Sequence, residues 1–311
     1  MANTEIIAGV HDYLLYGEET TYGTSVSTAT HLGLLTSFRS TVENNITIKR
    51  GFMGTATTAR EGVDSVVGTV DVSFSTDFDV VNWAFMEFVL GAVSGSTTLT
   101  YVPDDAIPSV TLTHNLDNPG STPTDRKEYF PGSVFNSCTI RCATGSPVSV
   151  TLDGMSKTIG YNSTLSTAVA NISSDGYTFA GGDIEVPDAS SISNIIDSIE
   201  ISINNNWEML KGCGSRLTQR VLPKELAYEV RFTLKYINDD FLNKALGAAS
   251  PTATGGPTST SITLKFTSGS RDCEFRFTNV QFDWTQNAAK TNPLIEDITG
   301  YPQNLTVVEI V

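Results

Sequence analysis

A period of two dominates the chain. Phe38, Ser40 and Val42 alternate with Arg39 and Thr41 up to Glu43-Asn44-Asn45, and residues 66–75 set Val70, Val72 and Phe74 against Thr69, Asp71 and Ser73. Such alternation puts apolar side chains on one side of a pleated strand and polar ones on the other. At residues 77–90 the apolar spacing turns helical, with Asp77 or Asp79 placed to cap a helix and Gly91 to end it. Further strands are predicted at 110–113, 134–142 and 148–152, with a Pro-, Asp- and Gly-rich loop over 115–129 and a polar loop over 161–182.

The second half follows the same plan. Ile199, Ile201 and Ile203 alternate with Glu200 and Ser202 and run into Asn204-Asn205-Asn206. Residues 228–236 set Val230, Phe232 and Leu234 against Glu229, Arg231 and Thr233. Asn238-Asp239-Asp240 then caps a short helix, 241–246, that stops at Gly247. Strands follow at 258–266, 274–285 and 305–310. Asn45 and Asn206 stand 161 residues apart, and Gly91 and Gly247 stand 156 apart. Shared order and spacing predict two tandem β-rich units, 32–160 and 190–311, with an extended arm and loop at 1–31 and a linker at 161–189.

Composition narrows the class. Charged residues make up 17% of the 311 positions, below the roughly 25% of a typical soluble domain, so hydroxyl and amide side chains must wet the surface. The balance of 19 basic against 34 acidic residues gives a net charge of −15. Gripping nucleic acid through its phosphates takes a basic face, which this balance disfavours. No run of 18 apolar residues is present, and the first residues lack the basic and apolar regions of a secretory signal. Cys138 and Cys142 lie four apart on one strand, about 13 Å from each other, too far to bridge. The four cysteines read as small hydrophobes.

Candidate chemistry is sparse. None of His11, His31 and His114 stands three or four residues from a second His or a Cys, so metal and triad sites are unsupported. Gly212-Cys213-Gly214-Ser215 lacks the Gly-Lys-Ser/Thr of a phosphate loop and reads as a loop passing close to another backbone. The pairs Asp104-Asp105 and Asp239-Asp240 read as a turn and a helix cap. No enzyme activity, metal or cofactor is expected. The polar strand faces are more telling, because a continuous sheet built from many copies could line a water-filled passage with them.

The segment from IEISINNN through KGCGSRL to LAYEVRFTLKYINDDFLNKALG resembles the central signature of tailed-phage tail tube (major tail) proteins. There a strand ends in an Asn-rich turn, a loop carries a Gly-Ser-Arg stretch, and a second long strand enters a short capped helix. SFRSTVENN to FVLG is similar to the same signature, and ITLKF with FRFTNVQFDWTQ resembles its closing strands. The resemblance implies a mainly β fold: a β-sandwich with short flanking helices whose sheets join between subunits into a large β-barrel. It implies a structural virion protein, made in the host cytoplasm, whose rings stack into the hollow tail tube through which the genome is ejected. Implied partners are further copies of the chain, the terminator, the tape measure and the baseplate or tip proteins. Viral DNA would pass without specific binding, as a −15 chain should allow. Two units per chain favour trimeric, pseudo-hexameric rings, with hexameric rings as the alternative. The candidate lumen-facing residues are Asp71, Ser73, Glu200, Ser202, Glu229, Arg231 and Thr233. Other readings are a decoration or tail-terminator subunit, or a carbohydrate-binding β-sandwich.

Overall fold

A computed structural model describes residues 12–49, 64–116, 126–161, 175–185, 196–236, 239–247, 259–287 and 294–310. In chain order the first half comprises β1 (Tyr13–Glu18), β2 (Thr30–His31), β3 (Leu34–Glu43), β4 (Thr47–Lys49), β5 (Asp64–Val66), β6 (Asp71–Asp79), α1 (Glu87–Leu90), β7 (Gly91–Ser94), β8 (Thr98–Pro103), β9 (Val110–Leu116), β10 (Arg126–Ala143), β11 (Ser149–Ser156) and β12 (Gly160–Tyr161). The second comprises β13 (Gly182–Glu185), β14 (Ile196–Asn204), β15 (Glu208–Lys211), β16 (Thr218–Leu222), β17 (Ala227–Lys235), α2 (Asp240–Leu246), β18 (Thr260–Ser268), β19 (Arg271–Asn287), β20 (Ile295–Tyr301) and β21 (Asn304–Ile310).

The main sheet is antiparallel throughout, in the order β3-β6-β11-β10-β14-β17-β20-β19. Among the described residues β3 is paired only by β6, and the second half of β19 only by β20, so this sheet is open at both edges. The long strands β10 and β19 each serve two sheets. The first half of β10 joins β9, β1 and β2, and the first half of β19 joins β18, β13, β21, β8 and β7. The change of sheet in β10 coincides with a register shift between Phe130 and Ser133, where Gly132 takes a φ of 67°. A bulge there bends the strand away from its first partner.

One apolar core runs between these layers. Phe38 of β3 lies 5.4 Å from Phe130 of β10, and Phe74 of β6 lies 5.9 Å from Phe135. Trp83 is fully buried among Phe85, Tyr177, Phe266 and Phe275, with ring centroids 5.0–6.0 Å away.

Most predicted strands are present, several with longer ends. The helix expected over 77–90 is instead the end of β6, an extended stretch, a 3-10 turn at Ala84–Met86 and the single turn of α1. Val80, Val81, Trp83, Phe85 and Met86 are all buried, and a stretch enclosed on every side carries no reliable period. The helix expected at 241–246 is α2, ended at Gly247 in the left-handed conformation. Within the expected arm, β1 pairs with β9 and buries Leu14, Leu15 and Tyr16. Of the loop expected at 115–129, residues 115–116 instead end β9 and 126–129 begin β10, while 117–125 lie outside the described residues, as do 162–174 of the loop expected at 161–182.

Candidate functional site

The outward face of the main sheet is predominantly polar, with Leu34, Met155, Ile295 and Tyr301 as its apolar exceptions. The ladder aligns Ser37 with Asp77, Asp77 with Thr151, Thr151 with Thr139, Thr139 with Ser202 and Ser202 with Glu229. A parallel row runs through Arg141, Glu200 and Arg231 to Thr299 and Asp283. Asp71, Ser73, Glu200, Ser202, Glu229, Arg231 and Thr233 are all partly or fully exposed, while Val72, Ile201, Val230 and Phe232 between them are buried. The structure therefore brings the seven sequence-predicted residues onto one sheet face. The same face also holds Asp77, Asp79, Asp153, Asp283 and Asp297, which are not among the seven candidates; Asp77 and Asp79 stand where a helix cap is expected. Their signal was present: the alternation Asp71, Ser73, Ser75, Asp77, Asp79 runs on unbroken.

Cations on this face are held by carboxylates. The Arg141 Nε donates to Glu200 Oε2 at 2.7 Å, and the Arg231 Nε donates to Glu229. Lys235 sits 3.6 Å from Asp197, and Lys211 pairs with Asp71. Counted by alternation, Glu43, Asp71, Asp77, Asp79, Asp153, Glu200, Glu229, Asp283 and Asp297 face out with Arg39, Arg141, Arg231 and Lys235, nine acids against four cations. The face is thus acidic, and the two arginines at its centre are already matched. Exposed pairs of this kind add little stability; they lower the positive potential that the face presents.

Hydroxyls tune the carboxylates. Ser37 Oγ and Thr151 Oγ1 each donate to Asp77 at 2.6 Å and hold its pKa below the ordinary 3.8. Glu309, behind the face in the core, goes the other way. Burial raises it above 4.5 despite bonds from Tyr101 OH and the Trp83 N–H. A lowered folded-state pKa gives stability that is present above the unfolded value and lost as pH falls through the folded one. The raised pKa of Glu309 gives stability that is present below its unfolded value and lost as pH rises through the folded one. In a carboxyl-resolved NMR titration Asp77 is expected to titrate below 3.8 and Glu309 above 4.5. The reverse order would contradict the hydrogen-bonding scheme.

The remaining candidates do not form a site of their own. His11 lies outside the described residues. His114 is buried, 3.6 Å from Asp12 and 3.8 Å from Glu128, and burial lowers its pKa against the pull of both acids. No group of three or more His, Cys, Asp or Glu fit for a metal occurs among the described residues. Asp104 Oδ1 accepts from the Ala106 N–H at 2.9 Å, the expected turn role. Asp239 stands at the start of α2 but accepts from Tyr236 OH instead of capping the helix. Cys138, Cys142 and Cys273 are buried, whereas Cys213 is exposed. The glycine loop does approach another backbone, through its neighbour: the Arg216 carbonyl accepts from the Val70 N–H at 2.8 Å.

That loop joins β15 to β16, a hairpin that leaves the end of the main sheet and leans back across it. Arg216 Nε donates to Gly68 O at 2.9 Å and its Nη2 to Asn44 Oδ1 at 3.4 Å; Lys211 Nζ donates to Thr69 Oγ1 at 2.9 Å. Below the hairpin's own base lies a groove of about 320 Å³, lined by Pro103, Asp104, Asp105, Ile107, Asn205, Trp207, Pro223, Lys224 and Leu226.

Among the described residues no helix is long and apolar enough to cross a membrane. The model of a family described as phage tail tube protein matches residues 11–306, nearly the whole chain. No curated protein matches it.

Proposed function

The chain belongs to the phage tail tube protein family and is a structural component of the virion tail; from that premise we propose that three copies close a ring whose continuous sheet turns its polar face to the lumen. The observation that carries this reading is the sheet itself: eight antiparallel strands, predominantly polar along one face and open at both edges. Val42, on the core side of the edge strand β3, is 43% exposed. Unpaired edges with bare apolar side chains are a liability unless another strand covers them. Pairing β3 of one copy with the second half of β19 of the next removes both edges.

Within each copy, two tandem units account for the pairing pattern. The order β3-β6-β11-β10 is repeated as β14-β17-β20-β19. Asn45 and Asn206, both with positive φ, donate from Nδ2 to the carbonyls of Thr69 and Glu225, which stand 156 residues apart like Gly91 and Gly247. Gly154 lies between Phe74 and Phe135, and Gly300 between Val230 and Phe282, at matching places in the two ladders. A side chain on Gly300 would come within 2.8 Å of Val280 and 2.9 Å of Val230. Such agreement in register and close approach supports duplication of one unit, with boundaries near 32–160 and 190–311.

Strand count favours three copies per ring. At about 4.8 Å per strand and about 40° of tilt, 24 strands make a wall about 50 Å across, and 48 strands one about 100 Å across. Side chains take about 5 Å from each wall, which leaves a lumen about 40 Å wide in the smaller ring, roughly twice the width of a DNA duplex, and about 90 Å in the larger, far too wide to guide it. The acidic, hydroxyl-rich face, with its two central arginines matched, would repel phosphates and let DNA slide. Terminator, tape measure and baseplate or tip proteins would be the chain's further partners in the assembled tail.

A charge-reversed lumen tests the conduit reading. Tubes of a variant carrying Asp77→Lys, Asp153→Lys and Asp283→Lys are expected to retain duplex DNA at low salt and release it at high salt, while wild-type tubes retain none. Equal retention by both would place this face away from the lumen.

A further inference from the structure

We propose that the groove between Asp104-Asp105 and Lys224–Leu226 is the docking site for the β4–β5 hairpin of a neighbouring copy in the same ring. The inference rests on the tandem-unit reading above and names a contact that reading leaves open. The first unit already shows the site filled. There the β15–β16 hairpin of the second unit lies on Asn44, Gly68 and Val70, through the carbonyl and guanidinium of Arg216. Moving those positions by the repeat offsets, 161 before the hairpin and 156 after it, gives Asn205, Lys224 and Leu226. All three line the groove. Among the described residues the Val70 N–H is taken by Arg216, while the Leu226 N–H has no such backbone partner. The groove is therefore the second unit's version of a seat that the first unit fills within the chain.

The occupant follows from the same offsets. Lys211 maps to Arg50 and Arg216 maps to Arg60. Both lie outside the described residues, so their correspondence is one of sequence; β4 and β5 flank them as β15 and β16 flank the other loop. Two arginines suit a groove that carries Asp104 and Asp105. Within one chain the second hairpin leans from β14 and β17 back toward β3 and β6. A first hairpin leaning in the same sense passes beyond β3, the sheet edge, and reaches the next copy. Each ring joint would then have two parts, a strand pair and a hairpin set in a groove.

Cross-linking tests this directly. In full-length Cys213→Ser protein, Arg60→Cys combined with Lys224→Cys is expected to give, on mild oxidation of assembled tubes, covalent oligomers that end at the copy number of one ring. Tubes that form without cross-links, or with a disulfide closed inside one chain, would overturn the docking site and leave the tube reading intact. Covalent chains longer than one ring would overturn the lateral contact. Wild-type protein that forms no tubes would remove the tube reading and this inference together. As a second arm, Asp104→Arg with Asp105→Arg is expected to slow assembly at least tenfold, and Arg50→Glu with Arg60→Glu to do the same. Combining all four changes should restore assembly; failure to restore it in a folded protein would count against the pairing.

Discussion

Val42→Lys is expected to give a folded protein that no longer forms tubes. Val42 lies opposite Val72 on β3, on the core side of an edge strand, yet it is 43% exposed in the single chain. A lysine there can reach solvent, and surface changes of this kind usually move stability by no more than about 0.5 kcal/mol. In a closed ring the same position is covered by the next copy. A charge pointing inward on an edge strand is a device that blocks pairing between sheets, and every joint of every ring would carry it. Circular dichroism and thermal melting should match the parent, while sedimentation and negative-stain images should show monomers. Tubes of normal length from the variant would mean that β3 is not the joining edge.

Trp83→Ala is expected to be the most damaging single truncation of the core. The indole is fully buried and touches aromatic rings from β18, β19, the 3-10 turn and Tyr177. It thus ties the stretch after β6 to the smaller sheet. Removing a buried tryptophan costs about 3–5 kcal/mol through lost burial and the cavity left behind. Against a total of roughly 5–15 kcal/mol for a typical protein, urea unfolding should show a large part of the stability gone. Trp83→Phe should cost clearly less. A loss under about 1 kcal/mol for the alanine variant would show that the pocket collapses or that this junction is not part of the cooperative core.

What could be read from the sequence was what one wet face imposes. Along β14 and β17 the buried Ile199, Ile201, Ile203, Val230, Phe232 and Leu234 leave Glu200, Ser202, Glu229, Arg231 and Thr233 outside, so alternation revealed both the strands and the candidate face. Where burial is two-sided or polar residues turn inward, that signal fails. Leu14, Leu15 and Tyr16 are buried in succession and do not alternate. In β20 a buried Glu296, bonded by Trp284 Nε1 at 2.8 Å, and Gly300 stand where apolar residues would mark a strand. Asp77 and Asp79 look like helix caps until Ser37 and Thr151 are seen to hold Asp77 in the ladder. The groove at Asp104-Asp105 could not be read at all, because segments more than a hundred residues apart in the chain meet there.

A reconstruction of assembled tubes, with symmetry left free, decides whether three copies close a ring around this face. The predicted result is a threefold ring with pseudo-sixfold features and 24 strands, three copies of eight. Glu200, Glu229 and Arg231 should line the lumen, with Val230 and Phe232 in the wall. A ring of six copies, or Val230 and Phe232 facing the lumen, would contradict it.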